Sequence, residues 1–417
     1  MPVATTVPDN TDRRQSARSA RHAAQRILWA ESRLKPVKLC GLHARNDTSG
    51  QVAIKATGTG ESRRAGVSGV MRCGSTWACP VCSHKISATR AEEVTAAIEK
   101  WQNLGPTFRV ALLTLTMRHK EGQSLLELWA ALSNAWEKVT SGRGWVNDQA
   151  LYGTWLPRQI KSGEHRGEIV SSQRIPFVRV VEATHGRNGW HVHIHCVLFL
   201  GPTMTADAPT PVDVQALGYS MFRRWRRALA AGVKKRGSQE YRVPPMATPT
   251  RSRGVDIKLV TEGATALGDY FAKAVYPAHR AAGFEATMGQ HKAPKNGNRT
   301  PFTILADIAA NGDAADLDLW HEWERGSKGR RQLTWSPGLR EFLALGDEQT
   351  DEQVADDDSL NGDVLVTFDA GQWPLVRSRV PALLDAAEAD DTGLALYQLL
   401  SGLLPLWNRD HCSVNSS

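Results

Sequence analysis

The chain has 417 residues, 41% of them apolar, enough for a substantial core and for two or three domains. Lys and Arg outnumber Asp and Glu by 51 to 43, and the net charge of +8 suits a polyanionic partner while also describing many solvated surfaces. No N-terminal apolar segment is present, and the longest apolar stretch, Leu394 to Trp407, is too short and interrupted to cross a bilayer. A soluble, cytoplasmic protein without a membrane partner is therefore expected, its six cysteines serving as thiols or metal ligands rather than as a disulfide framework.

Residues 1–35, rich in Arg, Ser and Ala, read as a flexible basic arm running into a short helix. Residues 36–104 form a cysteine-rich segment ending in a helix from Ser87 to Asn103, which Gly105-Pro106 stops. Residues 105–300 form the main domain. In it Phe108 to Met117 reads as a buried strand and Ser124 to Val139 as an amphipathic helix. Phe177 to Thr184 and His191 to Leu200 read as two strands joined by a tight turn at Asn188-Gly189. Val214 to Lys235 is predicted as a basic helix and Thr261 to Tyr276 as another. A helical extension is expected over 301–346. The run from Asp347 to Asp358, with seven acidic residues in twelve, repels itself and reads as a linker over 347–358. Residues 359–417 read as a small strand-plus-helix appendage. No internal repeat is present.

In a strand, residues two apart share a face, so His191, His193 and His195 project together while Val192, Ile194 and Cys196 face a core. A two-residue turn at Asn188-Gly189 places Glu182 opposite His195 and diagonal to His193, on the same face. Imidazoles and a carboxylate gathered on one side of buried strands make a divalent-cation site. The N and O ligands suit Mn²⁺ or Mg²⁺ doing phosphate chemistry, with Zn²⁺ left open by ligand type. Thr114 and Thr116 share one face of the preceding strand, where they could meet DNA or support the metal site; threonine is also a common strand former.

Cys73, Cys79 and Cys82 form a compact group with Cys79-Pro-Val-Cys82 as a tight turn of the kind that holds structural Zn²⁺. Cys40 is favoured over His43 or His84 as the fourth ligand, and unliganded reduced thiols are the alternative. Cys196 reads as core and Cys412 as tail. Arg223-Arg-Trp-Arg-Arg227, Lys234-Lys-Arg236 and the segment from His291-Lys292 to Arg299 could lie along DNA phosphates, and a solvated face explains them nearly as well. Tyr270 and Lys273, at i and i+3 of a predicted helix, suit strand cleavage: a phenolate attacks the phosphodiester and a lysine stands where negative charge develops. Alone the pair would read as core plus a snorkelling lysine. Tyr276 is the competing nucleophile or an ordinary helix-end tyrosine.

Three ordered segments resemble motifs of the HUH endonucleases, in particular the rolling-circle plasmid replication initiators, or Rep proteins, of actinobacterial type. Leu112-Leu-Thr-Leu-Thr116 is similar to the first motif, His193-Ile-His195-Cys-Val-Leu to the His-hydrophobic-His motif, and Tyr270-x-x-Lys273 to the third. Val181-Glu182-Ala-Thr is similar to the carboxylate-bearing strand, so the resemblance implies Glu182, His193 and His195 as the metal ligands, with His191 accessory. Phe302-Thr-Ile-Leu-Ala and Arg331-Gln-Leu-Thr-Trp-Ser336 are similar to stretches of actinobacterial initiators, and the likeness spans roughly residues 70–340. It departs from a related branch carrying Glu-x-x-Lys-Tyr, where Tyr270 would replace the glutamate and Ala274 the tyrosine; the nucleophile is therefore placed at Tyr270. The resemblance implies an α+β fold with an HUH-type central antiparallel sheet flanked by helices, preceded by the zinc-binding segment. It also implies an enzyme that nicks one strand of plasmid origin DNA (single-stranded or cruciform at the nick), stays joined through a 5′-phosphotyrosine and later rejoins the displaced strand, working with host helicase and replication machinery. Relaxases and single-strand transposases use the same chemistry, but relaxases usually carry the tyrosine before the histidines. The alternative from another class is a non-catalytic zinc-containing DNA-binding regulator.

Overall fold

The computed structural model describes residues 10–48, 50–159, 163–202, 206–232, 245–260, 297–357 and 362–404. The expected helix over 261–276, with Tyr270, Lys273 and Tyr276, lies outside the described residues, as do Lys234–Arg236, His291, Lys292 and Cys412. The architecture is α+β, helices around antiparallel sheet. Among the described residues no helix is long and apolar enough to cross a membrane.

From Asn10 onward the N-terminal segment is not an arm. Asn10–Glu31 is one helix, α1, because Ala17, Ala24 and Leu28 line a single buried side among its arginines. α2 (Lys35–Leu39) follows, then two strands absent from the sequence expectations, β1 (Val52–Thr57) and β2 (Arg64–Ser68). α3 (Pro80–Gln102) starts earlier than Ser87: Cys79 is its N-cap residue and Pro80 its first turn, where a missing N–H costs nothing.

The central sheet is assembled from β3 (Arg109–Thr116), β6 (Phe177–Gly186), β7 (Gly189–Leu200), β8 (Val255–Leu259) and β9 (Leu333–Trp335), in the order β8-β3-β7-β6-β9, antiparallel throughout. Between β3 and β6 lie α4 (Leu125–Val139), α5 (Gly142–Tyr152) and a two-stranded ribbon, β4 (Thr154–Gln159) with β5 (Ile169–Arg174). Ser124 caps α4 in a reciprocal capping box with Glu127. Between β7 and β8 come α6 (Pro211–Ala231) and the short α7 (Arg251–Gly254). α8 (Pro301–Asn311) and α9 (Ala314–Ser327) lead into β9, so the expected helical extension also supplies an edge strand of the central sheet.

The acidic run is not a free linker. It contains α10 (Asp351–Asp356), capped by Thr350 and Gln353, with Val354 and Ala355 buried and Asp351 3.1 Å from Arg90 on α3. One basic partner and two apolar side chains offset the local repulsion. Residues 362–404 are likewise no separate appendage. β10 (Asp363–Phe368) pairs with β1, giving a sheet β10-β1-β2, and α11 (Val380–Ala389) and α12 (Leu394–Leu403) complete its core. Arg18 of α1 ties this unit down through Asp385 and Glu388, at 2.5 and 2.6 Å.

The central sheet is two-sided. Leu113, Leu115, Val192, Ile194, Cys196 and Leu198 point into the larger core with α4 and α6. On the opposite face Val110, Val178, Val180, Val197 and Phe199 pack under Val94, Ile98 and Trp101 of α3. That second face changes character along each strand. β3 passes from Val110 to Thr114 and Thr116, β6 from Val180 to Glu182 and Thr184, and β7, read backwards, from Phe199 and Val197 to His195, His193 and His191. The polar half of that face is where the candidate site lies.

Candidate metal centres

The β6–β7 hairpin turns at Arg187-Asn188, with Gly186 opposite Gly189, rather than at Asn188-Gly189. Gly189 has φ +81°, so the glycine takes the left-handed position that follows the turn and Asn188 stays within it. The pairing is therefore two residues from the expected register. Glu182 sits directly opposite His193 and diagonal to His195. A shift of two keeps every side chain on its face, and the predicted group still assembles.

Glu182 Oε2 lies 3.2 Å from Nε2 of His193 and 3.2 Å from Nε2 of His195. The three ligand atoms fall within 4.8 Å of one another. Burial by itself would raise the Glu182 carboxyl, but hydrogen bonds and charge from His193 and His195 overcome it and hold the pKa at about 2. On β3, Thr114 stands opposite His195, and its Oγ1 is 3.0 Å from His195 Nδ1. A hydroxyl accepting from Nδ1–H would free the Nε2 lone pair for a cation in place of the proton that Nε2 otherwise shares with Glu182. Two imidazole lone pairs and a carboxylate converging on one point need a proton or a cation among them, and a divalent cation satisfies all three at once. Two imidazoles and one carboxylate leave coordination positions for water or a phosphate oxygen.

Thr116 is opposite His193, but its hydroxyl donates to the Arg253 carbonyl, so it links β3 to α7. His191 stands outside the three-residue group. Its ring is 5.0 Å from that of His193 and 4.8 Å from that of His119, and burial together with these neighbours lowers its pKa to about 3. His119, whose Nδ1 donates to the Asn188 carbonyl at 2.9 Å, has no counterpart in the sequence reading, because a single histidine after a strand carries no spacing signal.

The second centre is a thiol cluster. Cys40 Sγ is 3.6 Å from Cys82 Sγ, Cys73 Sγ 3.7 Å from Cys82 Sγ, and Cys79 Sγ 3.7 Å from Cys40 Sγ. These separations exclude disulfides, and a tetrahedron with Zn–S of about 2.3 Å has S–S edges of about 3.8 Å. Cys40 is the residue brought to the group, as favoured, while His43 and His84 are not part of it. Hydrogen bonds from Cys73, Cys79 and Cys82 hold the Cys40 thiol below its ordinary range. Cys196, by contrast, is buried in the core, and burial pushes its thiol well up. Near the thiols Trp77 meets Trp323 edge-on at 5.4 Å, and Trp323 stacks on Trp190 at 5.3 Å, in the core on the other side of the sheet from the histidines.

The fold and these sites define an α+β protein with a four-thiol centre and a carboxylate–imidazole centre on an antiparallel sheet. The chain is 33% identical over 384 residues to Protein rep of Streptomyces lividans, an alignment covering 83% of this chain and 80% of that protein. It therefore belongs to the Rep protein family. It is also 30% identical over 148 residues to a neomycin resistance protein of Streptomyces cyanogenus, covering 32% of this chain and 31% of that one. No family model and no solved structure matches it.

Proposed function

We propose that the chain initiates rolling-circle replication of a plasmid by nicking one strand at the origin and later rejoining it. The observation that carries this reading is the convergence of Glu182, His193 and His195 on the polar half of the central sheet, in a chain of the Rep family. Glu182 and the two imidazoles would hold Mn²⁺ or Mg²⁺, and such an ion, when bound, polarises a non-bridging phosphate oxygen. Thr114 keeps the His195 ring turned so that Nε2 faces inward. Cys40, Cys73, Cys79 and Cys82 would hold a structural Zn²⁺ that fixes the start of α3.

Tyr270 supplies the nucleophile in this reading. Its phenolate oxygen bonds to phosphorus, the bond from phosphorus to the 3′ oxygen breaks, and that oxygen leaves and is protonated, giving a 5′-phosphotyrosine and a free 3′-hydroxyl. Lys273 adds positive charge where the phosphate becomes more negative. In the joining step a 3′-hydroxyl attacks the phosphotyrosine and the phenol leaves. A non-catalytic zinc-containing DNA-binding regulator would use the thiol centre and the basic charge, but would leave the Glu182 centre without a purpose. Relaxases and single-strand transposases share the chemistry.

The test is a labelled single-stranded origin oligonucleotide incubated with protein and Mn²⁺ or Mg²⁺, then denatured. The expected result is a covalent protein–DNA adduct that Tyr270→Phe and chelator each abolish. An adduct undiminished in Tyr270→Phe would remove Tyr270 from the mechanism, and no adduct from the wild type would favour the regulator.

A further inference from the structure

We propose that the exposed face shared by α6 and α7 is a track for one strand of DNA, leading to the Glu182–His193–His195 centre. The proposal rests on the reading of that centre as a DNA-cleaving site. Along α6, Tyr219, Arg223 and Arg226 fall at i, i+4 and i+7, one helical stripe, and all three are exposed. Arg251 and Arg253 are exposed on α7 beside them. The Arg251 guanidinium lies 4.7 Å over the ring of Tyr219, which is itself 44% exposed. None of these four arginines has a carboxylate partner among the described residues. Arg224, in the same run, is committed to Asp148 at 2.5 Å. The run thus divides into one structural arginine and a set directed outward.

Position makes this more than a solvated face. Trp225 Nε1 donates to the Thr116 carbonyl at 2.8 Å, and the Thr116 hydroxyl donates to the Arg253 carbonyl, so both helices are fastened to the residue opposite His193. At the other end Gln215 Nε2 donates to the Ile257 carbonyl at 2.7 Å, so the stripe from Tyr219 to Arg226 runs toward the Thr116 end of β3; α6 covers the face of the sheet opposite the histidines, and α7, held by the Thr116 hydroxyl, is where a strand would pass round to them. α7 is seated closely: a Cβ on Gly254 would lie 2.4 Å from the Phe222 ring. Outward arginines match the phosphates of a strand, and an exposed tyrosine with a guanidinium on its face is a stacking surface that only an unpaired base can use. The occupant is therefore single-stranded DNA, with phosphate contacts giving affinity and direction rather than sequence choice.

The experiment measures binding of a short fluorescent single-stranded oligonucleotide by anisotropy across a salt series, beside the same sequence as duplex. In the quadruple variant Arg223→Ala, Arg226→Ala, Arg251→Ala, Arg253→Ala, affinity for the single strand near 0.15 M salt should fall about 100-fold. The slope of log K against log salt should become shallower by about 3, four contacts at about 0.7 each. The four-lysine variant should recover most of the slope, since it keeps the charge. Tyr219→Ala should lose about tenfold and Tyr219→Phe little. If the quadruple variant fails to fold, Arg226→Ala with Arg253→Ala carries the same test with a slope change of about 1.4. A folded variant with wild-type affinity and slope, or a loss confined to the duplex, overturns the proposal. Wild-type protein that binds through these residues but forms no adduct overturns the cleavage reading instead and leaves the track standing.

Discussion

The thiol centre and the carboxylate–imidazole centre are built on opposite principles. Four soft sulfurs at 3.6 to 3.7 Å close a tetrahedron, and Cys40, Cys79 and Cys82 are buried in the same core as the tryptophans around them. Glu182, His193 and His195 supply three harder donors on a sheet face that changes from apolar to polar at that row. A complete ligand set leaves no position for a substrate, and an incomplete one does. On ligand number and burial we propose an architectural role for one centre and a chemical role for the other, and the two proposals can be broken separately.

The largest effect is expected at the thiol centre. Cys82→Ser should release zinc and lower the unfolding free energy by more than about 5 kcal/mol, enough to unfold a domain of ordinary stability. Zinc content and thermal unfolding measure this, and an unchanged midpoint would contradict a structural role. Cys196→Ala is the control: equally buried but outside the cluster, it should cost about 1 kcal/mol and leave zinc content alone. The other centre should respond in the opposite way. Glu182→Gln or His195→Ala should reduce adduct formation by about 10³-fold while the unfolding midpoint moves by only a few degrees. Loss of fold in both variants would mean the two centres are not functionally distinct.

A smaller effect separates ligand from support. Thr114→Val keeps the shape of the side chain but removes the acceptor on His195 Nδ1, and should weaken divalent-cation affinity about 10- to 100-fold. Thr114→Ser should restore most of it. Titration of Mn²⁺ by adduct yield and by calorimetry reads the change; equal affinities in Val and wild type would reduce Thr114 to a strand former.

Much of the Glu182–His193–His195 group was legible because it is local. His193, His195 and Glu182 belong to one hairpin, strand alternation fixes their face, and an error of two residues in the turn does not move them off it. The small sheet was not legible, since β1 pairs with a strand more than 300 residues away and Val52-Ala-Ile-Lys-Ala-Thr57 is too short to announce itself. The acidic run misled for a related reason: the residue that tames Asp351, Arg90, lies on a distant helix. α1 misled because its buried face is made of small alanines, which carry little hydrophobic signal among arginines. Cys40 was found by residue type, through an affinity for sulfur partners that spacing alone does not encode.

Acid should act on the region around the thiol centre. His22 on α1 is held at a pKa of about 3 by burial and by the charges of Arg72, Arg21, Arg18 and Arg26, and Arg72 in turn faces the four cysteines. A neutral folded histidine and an unfolded one that titrates near 6.5 fix the sign. Between about pH 6.5 and 3 the unfolded chain binds the additional proton, so this contribution is full above 6.5 and is lost as pH falls through the window. At pH 5 the loss from this one group is about 2 kcal/mol. His22→Asn should flatten the stability profile between pH 7 and 5, measured by chemical unfolding at each pH. A wild-type profile that is already flat there, or one whose slope survives the substitution, would place the acid-sensitive group elsewhere.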